Sequence, residues 1–296
     1  MKIDHLQLSA FLTVLREQSF EKAANILCVT PSAVSQRIRA LEERLGKVLI
    51  IRESPCRPTV EGEKLYRHAL QIELLERDLS LDLQFIETRS TQRIPIAVNA
   101  DSLATWFMDA MKLFYEETGA FIEIVVDDEN HTDTWLKQGR VLGAVTSQSK
   151  PVQGCRIEKL GEMIYLPMAS PDFMRMHFSN GLTKEAFAKA PVLQFGVKDR
   201  IQNDFMKKII GKTPKINPPC HIIPSSQGFQ DAAVVGLGWG AAPSMLVEPF
   251  YKNGKLVNIA KGQDVKVPLY WQSWRLTSPT LDSLARTIRK AVRAAV

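Results

Sequence analysis

The chain has 296 residues, 45% of them hydrophobic and 24% charged, with a formal net charge of +6. That composition fits an ordinary soluble globular protein with room for two domains, and its core is large enough that no segment needs disulfide staples. The mild basicity is compatible with an anionic partner but does not demand one.

The first elements read as helices. Ser19-Phe20 precedes a short run, Glu21 to Leu27, in which Ala23, Ala24 and Leu27 share a face. A tight break at Cys28-Val29 follows. Thr30 then stands where a helix N-cap belongs and Pro31 at the first helical position, where its missing N–H costs nothing. Val34, Ile38, Leu41 and Leu45 form one apolar stripe on the next helix. Ser32, Ser35, Gln36 and Arg39 fall on or beside the opposite face, where hydroxyls suit phosphates and long amide or guanidinium groups suit base edges. Gly46 stops this helix, Val48 to Ile51 reads as a strand, and Pro55 to Pro58 makes a turn, together a β-wing with Arg52 and Arg57 placed for backbone or minor-groove contact. The basic groups alone would also fit a plain helical hairpin with a solvated face, since Glu42, Glu43 and Glu53 dilute the patch. Cap, proline, break and stripe occurring together favour DNA binding.

A long helix is expected from Thr59, with Glu61 and Glu63 in its first turn. Leu65, Ile72, Leu79 and Ile86 recur at heptad spacing and Leu75 takes a matching d position, which suggests a dimerisation helix; His68 and Asp82 spoil the seam, and a helix packed on its own chain is the other reading. Near Arg89 to Pro95 the texture changes to β-branched runs alternating with helical segments, the mark of an α/β domain with largely parallel strands. Strands are expected at Ile94–Asn99, Phe121–Val126, Leu142–Thr146, Met163–Ala169, Val192–Phe195, His221–Ile223 and Val267–Trp271, and a last helix from about Leu281.

Ser19-Phe20-Glu21-Lys22-Ala23-Ala24, Thr30 through Ile38, Leu41-Glu42, Leu45-Gly46, Arg52, Thr59 and Gly62 together resemble the signature of the LysR-type transcriptional regulators. The resemblance implies that Thr30, Pro31, Ser32, Ser35, Gln36, Arg37 and Arg39 lie in or near the major groove of promoter DNA. It also implies the architecture: a winged helix-turn-helix over 1–60, a linker and dimerisation helix over 61–90, and a two-lobed effector domain similar to periplasmic binding proteins over 91–296. Lobe I would comprise about 91–161 and 267–296, and lobe II about 162–266. Dimers that pair into tetramers and contact with RNA polymerase are implied as well.

In such a domain ligands collect beyond the strand ends, and three polar segments stand there: Asp101-Ser102, Thr146-Ser147 and Ser225-Ser226. Each, taken singly, also reads as an ordinary N-cap or turn. Val98 to Trp106, Asp128-Glu129, Gly139 to Val145 and Pro219 to Ile222 resemble the arginine/lysine-responsive branch of the family, also described as inhibitors of chromosome-replication initiation. The resemblance implies a basic amino acid, arginine or lysine, as effector. Its carboxylate would meet Ser102, and Asp101, Asp127, Asp128 or Glu129 would take its ammonium or guanidinium. Those acidic residues could equally form a solvated strand end. An architectural or replication-origin DNA-binding protein with low sequence preference is the alternative function.

Cys28, Cys56, Cys155 and Cys220 form no C-x-x-C pair and have no histidine at metal spacing, so free thiols and no metal or cofactor are expected. No nucleophile elbow, phosphate loop or dinucleotide fingerprint occurs, which argues against an enzyme. Met1 to Ala10 lacks the layout of a signal peptide, and the longest uncharged stretch, Ala232 to Val247, is broken by Gly236, Gly238, Gly240 and Pro243. A cytoplasmic, nucleoid-associated protein that does not enter a membrane is expected.

Overall fold

A computed structural model describes residues 3–83, 93–127, 132–197, 199–211 and 216–295. The N-terminal head is built from α1 (His5–Glu17), α2 (Phe20–Ile26) and α3 (Pro31–Leu45), followed by a minimal wing of β1 (Ile50–Ile51) and β2 (Arg57–Pro58). Each helix starts on the residue type that physics favours: the side chains of Asp4, Ser19 and Thr30 accept hydrogen bonds from the amides of Gln7, Lys22 and Ala33. The α2–α3 turn passes through Cys28 at φ +53°, and Gly46 ends α3 at φ +62°. Val34, Ile38 and Leu41 are fully buried against Phe11, Val14, Ala23 and Ala24, so the inward stripe locks the second helix of the motif onto the first two. Each such side chain contributes about 1.5–3 kcal/mol of burial.

The wing is shorter than the expected Val48 to Ile51 strand. It pairs Ile50 with Pro58 and Ile51 with Arg57, antiparallel. Glu42 holds it: its Oε1 accepts from the amides of Leu49 and Ile50 at 2.8 and 3.3 Å.

The linker helix α4 (Val60–Asp82) is capped by Thr59, whose Oγ1 accepts from the Gly62 amide at 3.0 Å and donates to the Val48 carbonyl at 2.8 Å. Glycine is required at 62 by close approach, because a Cβ there would stand 2.1 Å from the Leu49 carbonyl oxygen. Arg16 of α1 forms a bidentate pair with Glu73 of α4 at 2.9 and 2.5 Å, fixing the head on the linker. Burial works against the Arg16 charge, but the hydrogen bonds and charge of Glu73 outweigh it and raise its pKa.

The C-terminal part runs β3 (Arg93–Asn99), α5 (Ala100–Thr105), α6 (Phe107–Thr118), β4 (Phe121–Asp127), α7 (Thr132–Lys137), β5 (Gly143–Thr146), β6 (Cys155–Ala169), α8 (Pro171–His177) and α9 (Lys184–Lys189). It continues with β7 (Val192–Gln194), α10 (Ile201–Ile210), β8 (Cys220–Ile222), α11 (Ser226–Val234), β9 (Gly240–Pro243), α12 (Ser244–Lys252), β10 (Val257–Asn258), β11 (Val265–Trp274) and α13 (Pro279–Ala295). The sheet is mixed, which corrects the expectation of largely parallel strands. Its order is β10-β6-β11-β5-β3-β4, with β9 also on β6. Only β3 pairs in parallel there, with β4 and β5, and β7 with β8 forms a separate parallel pair.

The long strands β6 and β11 pair antiparallel from Cys155↔Trp274 to Tyr165↔Val265, with a register break between Leu269 and Tyr270, and the last residues of β6 pair with β9 and β10. On one side, β3, β4 and β5 are packed by α6 and α13; on the other, Phe187, Phe205 and Trp239 centre a second core with Phe173 and Phe178. Among the described residues, no helix is long and apolar enough to cross a membrane, and no cluster of three metal-ligating side chains occurs.

Candidate DNA-reading face and effector cleft

The apolar side of α3 is used up in the core, so its other side faces outward. Thr30, Pro31, Ser32, Gln36 and Arg39 are exposed, while Ser35 and Arg37 are half-buried. Thr30 Oγ1 also shares a 2.9 Å hydrogen bond with Ser32 Oγ, which ties the two hydroxyls at the start of the helix together. Gln36 and Arg39 lie three residues apart and therefore project from neighbouring turns of the exposed face. The two wing arginines differ. Arg57 is exposed on β2, whereas Arg52 lies 5.3 Å over the Phe20 ring and pairs with Glu42 at 3.5 Å. Arg52 therefore braces the wing against α2 and α3.

The other site lies between the lobes. Asp101, in the first turn of α5 at the end of β3, accepts from Tyr165 Oη at 2.7 Å and from Ser226 Oγ at 2.9 Å. These bonds join lobe I to the crossover strand β6 and to the first turn of α11. Asp101 lines a small cavity with Tyr165, Ser226, Asp199 and Gln230, and with Phe195 and Phe229 among its apolar walls. Asp199, from lobe II, is buried and held from both sides: its Oδ2 accepts from the Phe195 amide and its Oδ1 from the Ile201 amide, each at 3.0 Å. Two carboxylates thus reach one cavity from opposite lobes. The cavity measures about 30 Å³. That holds a water or two.

Of the expected effector residues, the structure brings Asp101 and Ser226 into direct contact. Ser102 and Thr146 are fully buried, at the ends of β3 and β5. Thr146 Oγ1 accepts from the Gln148 amide, while Ser102 Oγ and the side-chain amide of Asn99 have no hydrogen-bond partner among the described residues. Ser147 is half-buried; Ser225 is exposed and acts as the N-cap of α11, its Oγ accepting from the Gly228 amide. Asp127 closes the edge strand β4 opposite Asn99. Asp128 and Glu129 lie outside the described residues. Asp199 was missed by the sequence reading: an Asp two positions before an apolar helical run has the look of a capping residue, and although the N-cap position is Arg200, Asp199 does accept from the Ile201 amide.

On α4 the heptad residues divide. Leu65 is buried in its own chain along with Ala69, Leu70 and Leu74, Ile72 is half-buried, and Leu75 and Leu79 are 44% and 56% exposed. Ile86 lies outside the described residues.

A winged helix-turn-helix head with an outward polar face, joined by one long helix to a two-lobed domain with a polar cleft, defines a ligand-responsive DNA-binding regulator. Residues 5–63 match the bacterial regulatory helix-turn-helix protein, lysR family, and residues 88–293 match the LysR substrate binding domain. The chain belongs to the LysR family of transcriptional regulators. It is 41% identical over 290 residues to the HTH-type transcriptional regulator LysG of Mycobacterium tuberculosis, covering 98% of this chain and 94% of that protein. The crystal structure of ArgP from Mycobacterium tuberculosis superposes with a TM-score of 0.84 at 40% identity, covering 99% of both chains. Full-length LysG from Corynebacterium glutamicum with bound effector Arg superposes with a TM-score of 0.74 at 35% identity, again over 99% of both chains.

Proposed function

We propose that this regulator reads promoter DNA through Thr30, Pro31, Ser32, Ser35, Gln36, Arg37, Arg39 and the wing residues Arg52 and Arg57, and that its effector is a basic amino acid, arginine in the first place. The observation that carries the effector reading is the pair of carboxylates, Asp101 and Asp199, lining one cleft cavity from opposite lobes. A cationic side chain in that cavity would pair with a carboxylate, and a bidentate guanidinium–carboxylate pair is the strongest such contact. In this reading Ser102, Thr146 and Ser147 meet the ligand's carboxylate end, with Ser225 and Ser226 opposite, while Asp127, Asp128 or Glu129 is the further acidic candidate for its cationic end. The bound arginine named for the Corynebacterium glutamicum structure agrees with this chemistry.

The exposed apolar residues Leu75 and Leu79 of α4, with Ile72 and Ile86 along the same repeat and Leu65 holding the helix on its own chain, pair two chains into a dimer, and dimers into a tetramer, acting on RNA polymerase at nucleoid DNA. A gel-shift titration with its own promoter region against random duplex at one salt concentration tests the DNA reading. Equal affinity for both would instead favour an architectural protein. Calorimetric titration with arginine, lysine and the neutral isostere citrulline tests the effector reading. Equal binding of citrulline and arginine, or no binding of either basic amino acid, overturns it.

A further inference from the structure

The last turns of α4 are buried the wrong way round. Beyond Leu74, the leucines Leu75, Leu79 and Leu81 are 44, 56 and 52% exposed. The buried residues there are the charged neighbours Arg77 and Asp78, 7% and 6% exposed. The surface that they meet is lobe I. Arg77 lines a cavity of about 10 Å³ with Leu74, with Ile94 at the start of β3 and with Leu142 just before β5.

Neither charge is well satisfied in that seam. Arg77 Nε and Nη1 have no hydrogen-bond partner among the described residues. Glu73, one turn back, lines the same cavity, but both its oxygens accept from Arg16. Burial pushes the Arg77 pKa down, with the Asp78 charge opposing. Asp78 is held at one oxygen: its Oδ1 accepts from Thr280 Oγ1 in the first turn of α13 at 2.5 Å, while Oδ2 has no partner among the described residues. Two charged side chains have thus left water and regained one hydrogen bond between them. Docking a helix end in this way carries a cost that apolar residues at the same places would not.

We propose that this seam is a release joint between the linker helix and the effector domain. The last turns of α4 come off lobe I at little cost, because opening returns Arg77 and Asp78 to water, and the Thr280 hydrogen bond is the catch that holds them down. Apolar packing of α4 on its own chain ends at Leu74, so the helix before that point stays in place. The joint also stands where movement matters: β3 runs from this seam to Asn99, two residues before Asp101 in the cleft. It needs no particular effector there.

Hydrogen exchange of the full-length protein, read by mass spectrometry in peptides from the end of α4 and the start of α13, tests the joint. Arg77→Met fills a similar volume with no charge to rehydrate, so exchange there should slow by about threefold or more. Thr280→Val removes the catch and leaves Asp78 buried without a partner, so exchange should quicken by about tenfold or more. Thr280→Ser keeps the hydroxyl and should stay near the wild-type rate, and peptides from α9 in lobe II should not change in any variant. Should Arg77→Met fail to fold, Arg77→Gln takes its place with the same direction expected. Exchange that does not slow on loss of the Arg77 charge, or does not quicken with Thr280→Val, overturns the proposal. So does Thr280→Ser behaving like Thr280→Val, or a change shared equally by α9.

Discussion

Replacing Asp101 by asparagine removes one charge from the cleft while keeping its shape. In the wild type the carboxylate accepts from Tyr165 and Ser226 at 2.7 and 2.9 Å. Hydrogen bonds to a charged acceptor are worth about 1.5–3 kcal/mol each when buried, and Asp101 is half-buried, which lowers both values. Asparagine keeps an acceptor for the tyrosine hydroxyl, and its amide donates to Ser226 Oγ, so only the charge assistance is lost. The stability cost is therefore about 1–2 kcal/mol, a fall in Tm of a few degrees at most. Arginine binding suffers more, because Asp101→Asn leaves a desolvated guanidinium without one of its two anionic partners, at a cost of about 2–3 kcal/mol. That is a loss of roughly 30- to 150-fold in Kd. Titration calorimetry of both proteins with arginine and with citrulline reads it directly. The variant should also lose most of the wild type's preference for arginine over citrulline. If its Kd for arginine changes by less than about threefold, or if it binds arginine more tightly, Asp101 is a latch between the lobes and not a cation-binding group, and the reasoning is refuted.

Arg39→Ala should flatten the preference for one operator over variant duplexes, measured by fluorescence anisotropy at fixed salt, while Arg52→Ala should weaken all duplexes alike and also lower Tm, because Arg52 braces Glu42 and Phe20. Leu79→Asp, at a position 56% exposed in the single chain, should leave the monomer's circular dichroism unchanged and shift the sedimentation coefficient toward the monomer; an unchanged oligomer would locate pairing elsewhere. Burial pushes the Cys155 thiol up from 9.0 to about 11, with Arg275 and Arg67 opposing. The folded state therefore favours the protonated thiol, and this contribution is intact below pH 9 and lost as pH rises toward 11. Over that window the wild type should lose about 2–3 kcal/mol that Cys155→Ala does not, read by denaturant titration at each pH.

The sequence was most legible where one local rule acted alone. Thr30, Pro31 and Gly46 bound α3 by capping chemistry, and its stripe of Val34, Ile38 and Leu41 is buried as the 3.6-residue period requires. Legibility failed where two demands fell on one residue or where pairing partners were distant. The α4 helix carries both a heptad and a face packed on its own chain. Leu65 serves the second and Leu79 is left for the first, a division that spacing alone does not reveal. The strand Gly240–Pro243 was missed because its Gly-Ala-Ala-Pro sequence has no strand propensity; it forms because Met168 to Tyr165 of β6 offers a ladder beside it.

The cleft follows the same logic. Asp101 meets Tyr165 and Ser226 across 64 and 125 residues of chain, and no short motif records that meeting. What the sequence does record is that each residue stands beside a strand end or a helix start, where backbone groups are left over and a polar side chain is useful with or without a ligand. A cap and a ligand contact therefore look alike until the lobes are folded against each other. Asp199 accepts from two amides and also lines the cavity. Its two amide hydrogen bonds offset part of the cost of burying that charge, and a cationic effector, as proposed, would offset more.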